Sequence, residues 1–177
     1  ESLPYYVSVE GDTIYTNFEK GADYTGGLDS LVAFLVNRIV YPKQWEDSCK
    51  TGIIEMATVI MKDRSLKISN VLDFNNLGLD FQFEAMRVAR RTGGSWIPAE
   101  YESKAVNTTL PLRVFFKSDA EGCKNANEVF DRATLLSEEG AKLMQENNPE
   151  MAIRKWNEAL SLQPDNTELL YYRGSSY

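Results

Sequence analysis

Histidine, the side chain that most often transfers protons near neutral pH, is absent from this chain of 177 residues, and only two cysteines occur. Zinc sites built on Cys and His are therefore excluded, as are Ser-His-Asp and Cys-His nucleophilic centres. Carboxylates do occur in pairs, Glu138 with Glu139 and Asp80 with Glu84. Neither pair has the apolar, convergent surroundings that tune an acid and a base. With no glycine-rich phosphate loop present, we predict a protein that is not an enzyme and needs no cofactor.

The net charge of −7 is unevenly distributed, because residues 1–117 carry −2 and residues 118–177 carry −5. No basic stripe is present, so we expect no nucleic acid partner. Hydrophobic residues at 43% and charged residues at 25% are typical of a globular protein. We find no apolar run of about 20 residues and no signal peptide. Because the chain begins at Glu1 without a methionine, we expect a processed or trimmed fragment.

The stretch from Ser95 to Lys117 ends in LPLRVFFK, which has the alternation of a strand. Its two faces would carry Leu110, Leu112, Val114 and Phe116 on one side, and Pro111, Arg113, Phe115 and Lys117 on the other. Proline cannot donate a hydrogen bond to a neighbouring strand. The pattern therefore predicts an edge strand with an open backbone edge.

The elements before this strand follow a readable order. Residues 4–9 and 13–17 predict a hairpin, and an apolar helical pattern then ends at Tyr41-Pro42. Strands are predicted at 51–62 and from Leu66 to Phe74, and a second helix begins near Asp80. We therefore predict an α+β fold: a small three-stranded antiparallel sheet packed on two helices, with a preceding β-hairpin.

The remainder of the chain has helical patterning. Residues 118–126 are polar and aperiodic and predict a linker, and helices are predicted at about 127–147, 149–163 and 166–177. The predicted domains are thus residues 1–117, a linker at 118–126, and an all-α helical hairpin with one further helix at 127–177.

Several spaced motifs in residues 22–117 resemble the TonB C-terminal domain family of the Bacteroidetes type. They are, in order, Gly26-Gly27-Leu28 with Leu31 and Phe34, Tyr41-Pro42, Gly52, Glu84-Ala85, Trp96-Ile97-Pro98 and Leu110–Phe116. The resemblance implies a periplasmic domain whose last strand accepts an extended peptide of a TonB-dependent outer-membrane transporter by strand addition. The implied contact residues are Leu110, Leu112, Arg113, Val114, Phe115, Phe116 and Lys117.

The helical segment resembles a tetratricopeptide (TPR) repeat, a helix pair of about 34 residues. The signature positions are occupied by Leu136, Gly140, Leu143, Ala152, Trp156, Ala159 and Pro164. Small residues at Gly140 and Ala152 would let two helices cross closely, while Trp156 and Leu143 fill the space between them.

Each motif also has a plainer interpretation. The closing strand could be a structural edge only, and Trp96-Ile97-Pro98 fits a core plug better than a contact surface. The acidic helices could present a solvated face, or a groove that binds a second protein.

Cys49 precedes the first long strand and Cys123 follows the last, so the two would lie at the same end of an antiparallel sheet. We hypothesise a disulfide, which would suit an oxidising periplasm. The alternative is two free buried thiols.

The leading hypothesis is a periplasmic, non-enzymatic, TonB-like interaction module that takes part in energy-coupled uptake. The full transducer role needs a membrane anchor and a spacer, which would lie upstream of Glu1; the alternative is an unanchored relative. The alternative is a periplasmic scaffold or assembly protein, in which the TPR helices bind the partner and the TonB-like fold is structural.

Overall fold

A computed structural model describes residues 3–176. The chain forms two compact units, each assembled from separate stretches of sequence. The first unit contains residues 1–40, 54–72 and 82–114, and the second contains residues 41–53, 73–81 and 115–177. We describe each unit by itself.

Strands occupy the first part of the chain and helices the last. The described strands are β1 (Tyr5–Val7), β2 (Thr13–Tyr15), β3 (Asp23–Tyr24), β4 (Gly52–Ile60), β5 (Leu66–Asp73), β6 (Trp96–Ile97), β7 (Ala99–Tyr101) and β8 (Lys104–Phe116). The described α-helices are α1 (Gly27–Val36), α2 (Leu79–Arg90), α3 (Lys124–Gln145), α4 (Pro149–Leu162) and α5 (Thr167–Ser175). Short 3₁₀ helices lie at Lys43–Ser48 and Glu121–Cys123. The fold is thus α+β, as predicted.

The predicted sheet of three strands is wrong in number, because the described sheet has six strands in the order β1-β2-β8-β4-β5, with β7 also paired to β8. The three long strands β4, β5 and β8 are those expected from the sequence. The β1–β2 hairpin joins them because β2 runs parallel to β8 at Asn107 and Thr108. β7 adds antiparallel to Lys104–Val106. A separate two-stranded sheet pairs β3 with β6.

The contacts between β4 and β8 show that these two strands run in opposite directions. The Thr58 hydroxyl donates to the Leu110 carbonyl, and Arg113 forms an ion pair with Glu55 at 3.3 Å. As the numbering falls along β4, it rises along β8. β4 and β5 are joined by a short turn in which the Arg64 N–H donates to the Met61 carbonyl, so this pair is also antiparallel.

Within the first unit, the hairpin β1–β2 packs on the rest of the sheet through one buried amide and one apolar cluster. The Asn107 Nδ2 donates to the Thr13 carbonyl at 3.0 Å, and its Oδ1 accepts from the Lys62 N–H at 2.8 Å. Ile14 is buried with Val59 and Met61. These contacts place the hairpin on β8 and β4.

The second unit contains the three helices predicted at the end of the chain, with bounds close to those expected. Asn148 and Asn166 cap α4 and α5 by accepting the N–H groups of Met151 and Leu169. Pro149 is the first residue of α4, where a missing N–H costs nothing. Tyr177, the last residue of the predicted helix 166–177, lies outside the described residues.

Candidate functional site

The predicted docking strand β8 has the alternation of buried and exposed side chains that its sequence indicates. Leu112, Val114 and Phe116 are buried and Leu110 is half-buried. Pro111, Phe115 and Lys117 are exposed. β8 is not a terminal strand of the sheet, however. Its open side is confined to the second half, because among residues 3–176 no strand pairs with it opposite β4 beyond Thr108.

The direction of the backbone groups along this open side follows from one hydrogen bond. The Leu110 carbonyl accepts from Thr58 of β4, so the polar groups of Leu110 face β4. Successive residues of a strand direct these groups to opposite edges, so those of Thr109 and Pro111 face the open side. Pro111 agrees with this assignment, since a proline is tolerated where its missing N–H faces away from a neighbouring strand. The parallel pairing of Tyr15 with Thr108 directs the Thr109 N–H at the Tyr15 carbonyl, so Thr109 offers only its carbonyl to an incoming strand.

The last three predicted contact residues lie in the second unit and have contacts there. The Phe115 ring packs edge-on against Phe130, with centroids 6.3 Å apart, and Phe116 meets Phe81 at 5.1 Å. Lys117 forms an ion pair with Asp131 at 2.9 Å. The part of β8 that belongs to the first unit, up to Val114, is therefore the better candidate for strand addition.

The predicted TPR signature residues converge in the second unit. Leu136, Ala152, Trp156 and Ala159 share one buried cluster, and Leu143 packs against it. Gly140 lies so close to Trp156 that a Cβ atom would be 2.4 Å from its Nε1. The indole N–H donates to the Ser137 carbonyl at 3.2 Å, which fixes the ring between α3 and α4. Pro164 follows the end of α4.

Cys49 and Cys123 form a disulfide, with their Cα atoms 5.0 Å apart. Both belong to the second unit, where the bond joins the residue after the 3₁₀ helix Lys43–Ser48 to the residue before α3. Ser118 reinforces this junction, since its hydroxyl donates to the Glu46 carbonyl at 2.7 Å. The bond closes a loop with a sequence separation of 74 residues.

The pKa values of Asp80, Glu84 and Glu139 are all lowered, which favours the charged form of each carboxylate. The pKa of Asp80 is lowered chiefly by the hydrogen bond from Trp45, and that of Glu139 by the hydrogen bond from Lys155. Burial acts to raise the pKa of Glu84, but hydrogen bonds from Arg87 and from the Val40 N–H outweigh it, so the pKa is lowered. A general acid near neutral pH needs the opposite shift.

One feature of the first unit was missed by the sequence reasoning: a pocket of about 320 Å³ beside the β7–β8 turn, whose lining includes Tyr15, Lys62, Tyr101, Lys104 and Asn107. The turn consists of Glu102 and Ser103, both with left-handed φ angles of 49° and 61°. Such turns favour Asn-Gly, so Glu-Ser gives no signal in the sequence.

Two negative findings apply to residues 3–176. No helix in this range combines the length and apolar character needed to cross a membrane. No group of three His, Cys, Asp or Glu side chains within it could hold a metal ion.

Comparison of the sequence with models of known protein families gives no match, and comparison with curated proteins gives none either. The resemblances to the TonB C-terminal domain and to TPR repeats therefore depend on the motif residues themselves.

Proposed function

We propose that the chain is a periplasmic, non-enzymatic interaction protein that receives an extended peptide of a TonB-dependent outer-membrane transporter on the open side of β8. In this proposal β4, β5 and β8 with α1 and α2 correspond to a TonB C-terminal-like domain, and α3–α5 to a TPR helical hairpin plus one helix. The role would be to couple energy to uptake.

The observation that carries the proposal is the one-sided pairing of β8 between Thr109 and Val114. A strand with one open side is the template that β-augmentation requires: the backbone supplies the affinity and alternate side chains the selectivity. Pro111 interrupts the row of donors, so the open side disfavours unspecific pairing with another sheet.

The disulfide supports the periplasmic location in this proposal. Disulfides persist in oxidising environments such as the periplasm and are rare in a reducing cytosol. The bond between Cys49 and Cys123 therefore fits a protein that works outside the cytosol.

The test is a calorimetric titration with peptides from the amino-terminal segments of TonB-dependent transporters. On the open side the Thr109 and Pro111 carbonyls would accept from N–H groups of the peptide, so a peptide N-methylated at the alternate residues that face β8 should bind at least about tenfold more weakly. The matched control is the same peptide N-methylated at the intervening residues. Their N–H groups face away from β8, so this peptide should bind like the unmodified one.

Only the peptide is altered in this test, so the protein keeps its fold in every titration. Absence of saturable binding of the unmodified peptide would refute the proposal. Equal affinities of the two N-methylated peptides would show that peptides bind elsewhere.

A scaffold role for the helices is the second candidate, favoured by an open depression of about 560 Å³ along α4. It is lined by Met151, Arg154, Lys155, Asn157, Glu158 and Ser161. If the helices are the binding element, Arg154→Glu should abolish partner binding while Pro111→Val leaves it unchanged.

A further inference from the structure

Helix α1 is apolar on both of its faces. Leu31 and Leu35 are buried in the first unit. The opposite face presents Leu28, Val32 and Val36 at intervals of four residues, with 71%, 49% and 66% of their surface exposed. Val40, four residues further on, is 60% exposed. An amphipathic helix normally directs polar side chains outward. A contiguous exposed apolar stripe of this kind marks an interaction surface.

The composition of α1 argues against a lipid surface as the occupant. Helices that lie on membranes carry lysine and arginine on their polar face, which bind anionic lipids. The only charged side chain within α1 is Asp29, and its last turn contains no basic residue. With ten residues, the helix is also far below the roughly 20 residues needed to span a bilayer. A protein surface of matching shape and charge is the better fit.

We propose that the stripe Leu28–Val32–Val36 is a homodimer interface, in which α1 of one copy packs antiparallel against α1 of a second copy. A stripe of similar side chains at even spacing is complementary to itself when it is turned by a two-fold axis through Val32. Leu28 of one copy then lies beside Val36 of the other, and Val32 meets its own counterpart.

The charges at the two ends of α1 select the antiparallel orientation. Asp29 lies in the first turn, and Arg38 follows the last turn with its guanidinium 4.1 Å from the Phe34 ring centroid. An antiparallel pair brings the acidic beginning of each helix towards the basic end of the other, and it also aligns the two helix dipoles favourably. A parallel pair would place like charges together.

Analytical ultracentrifugation of the full chain over a concentration series tests whether the interface exists. We expect a reversible monomer–dimer equilibrium in the wild type. Val32→Asp should weaken it by at least about thirtyfold, since it places two carboxylates at the centre of the interface. Val9→Asp is the matched control: it makes the same substitution at a fully exposed valine outside α1 and should dimerise like the wild type.

Disulfide trapping under mild oxidation tests the orientation. Val32→Cys should cross-link to itself. Leu28→Cys should not, because the two Leu28 positions would be about 12 Å apart along the helix axis at 1.5 Å per residue. A mixture of Leu28→Cys and Val36→Cys should give a heterodimer.

Three outcomes would overturn the proposal. They are a wild type that is monomeric at every concentration, a dimer that Val32→Asp leaves intact, and self-cross-linking of Leu28→Cys as strong as that of Val32→Cys. Cosedimentation of the wild type with anionic vesicles, lost in Val32→Asp, without any dimer in solution would assign the stripe to a lipid surface instead.

Discussion

At the scale of single residues, Gly140 packs closely against the Trp156 indole in the second unit. The absence of a side chain at residue 140 lets α3 and α4 come together, and the indole fills the space that this leaves. The small residue and the large one thus depend on each other.

Gly140→Ala should destabilise the protein by about 1–3 kcal/mol, because the new methyl group would overlap the indole and force the two helices apart. Urea unfolding followed by tryptophan fluorescence measures the change. Gly174→Ala is the control: it lies in α5, where a Cβ atom meets nothing within 4 Å. There the substitution should stabilise by about 0.5–1 kcal/mol through higher helix propensity. Equal effects at both positions would contradict this account of Gly140.

Glu84 gives a prediction for pH dependence. Its carboxylate accepts from Arg87 Nε at 2.6 Å and from the Val40 N–H at 2.6 Å, and its pKa is lowered in the folded state. A lowered pKa stabilises the fold above the unfolded value of about 4.3, and this contribution is lost as the pH falls through the folded value. Glu84→Gln should therefore cost about 1–2 kcal/mol at pH 7.

The difference between wild type and Glu84→Gln should shrink as the pH falls below about 4.3, because the unfolded wild type then takes up a proton that the folded carboxylate resists. Denaturant unfolding at a series of pH values measures it. Glu128→Gln, at an exposed carboxylate of α3, should show little difference at any pH. If the difference in unfolding free energy between wild type and Glu84→Gln grows as the pH falls, the pKa of Glu84 is not lowered in the folded state.

At the scale of elements, β8 pairs on one side with β2 as far as Thr108. In the proposal, a peptide strand pairs with the same side beyond that point. Pro111 limits what the peptide can gain, because it contributes an acceptor but no donor to that side.

Pro111→Val should therefore tighten binding of transporter peptides, by roughly three- to tenfold for one added hydrogen bond. Calorimetric titration measures the affinity, with light scattering to detect any self-association that the new donor promotes. Pro149→Val, at the start of α4, is the control and should leave the affinity unchanged. An unaltered affinity of Pro111→Val would mean that a partner does not pair along this side.

The elements also show what sequence reasoning can reach. The alternation from Leu110 to Lys117 and the start of a helix at Pro149 are local patterns, and the structure bears them out. The six-stranded sheet was not predictable, because β2 and β7 are three residues long and join β8 through contacts distant in sequence. Which edge the Thr109 N–H faces depends on the hydrogen bond between Thr58 and Leu110, 52 residues apart.

At the scale of the whole molecule, the disulfide is the only covalent link between distant parts of the described chain. In the chain-entropy account, a cross-link acts mainly on the unfolded state, by excluding conformations in which its two ends are far apart. The separation of 74 residues between Cys49 and Cys123 makes this restriction large.

Reduction of the disulfide should lower the free energy of unfolding by about 4 kcal/mol, the value expected for a loop of this length. Guanidinium unfolding with and without reductant measures the loss. Cys49→Ser combined with Cys123→Ser should unfold at the midpoint of the reduced wild type and should not respond to reductant, because it has no bond to break. A reduced wild type with two titratable thiols and an unchanged midpoint would contradict the prediction. If the loss is found, the second unit is most stable where the disulfide persists, and an oxidising compartment such as the periplasm supplies that condition.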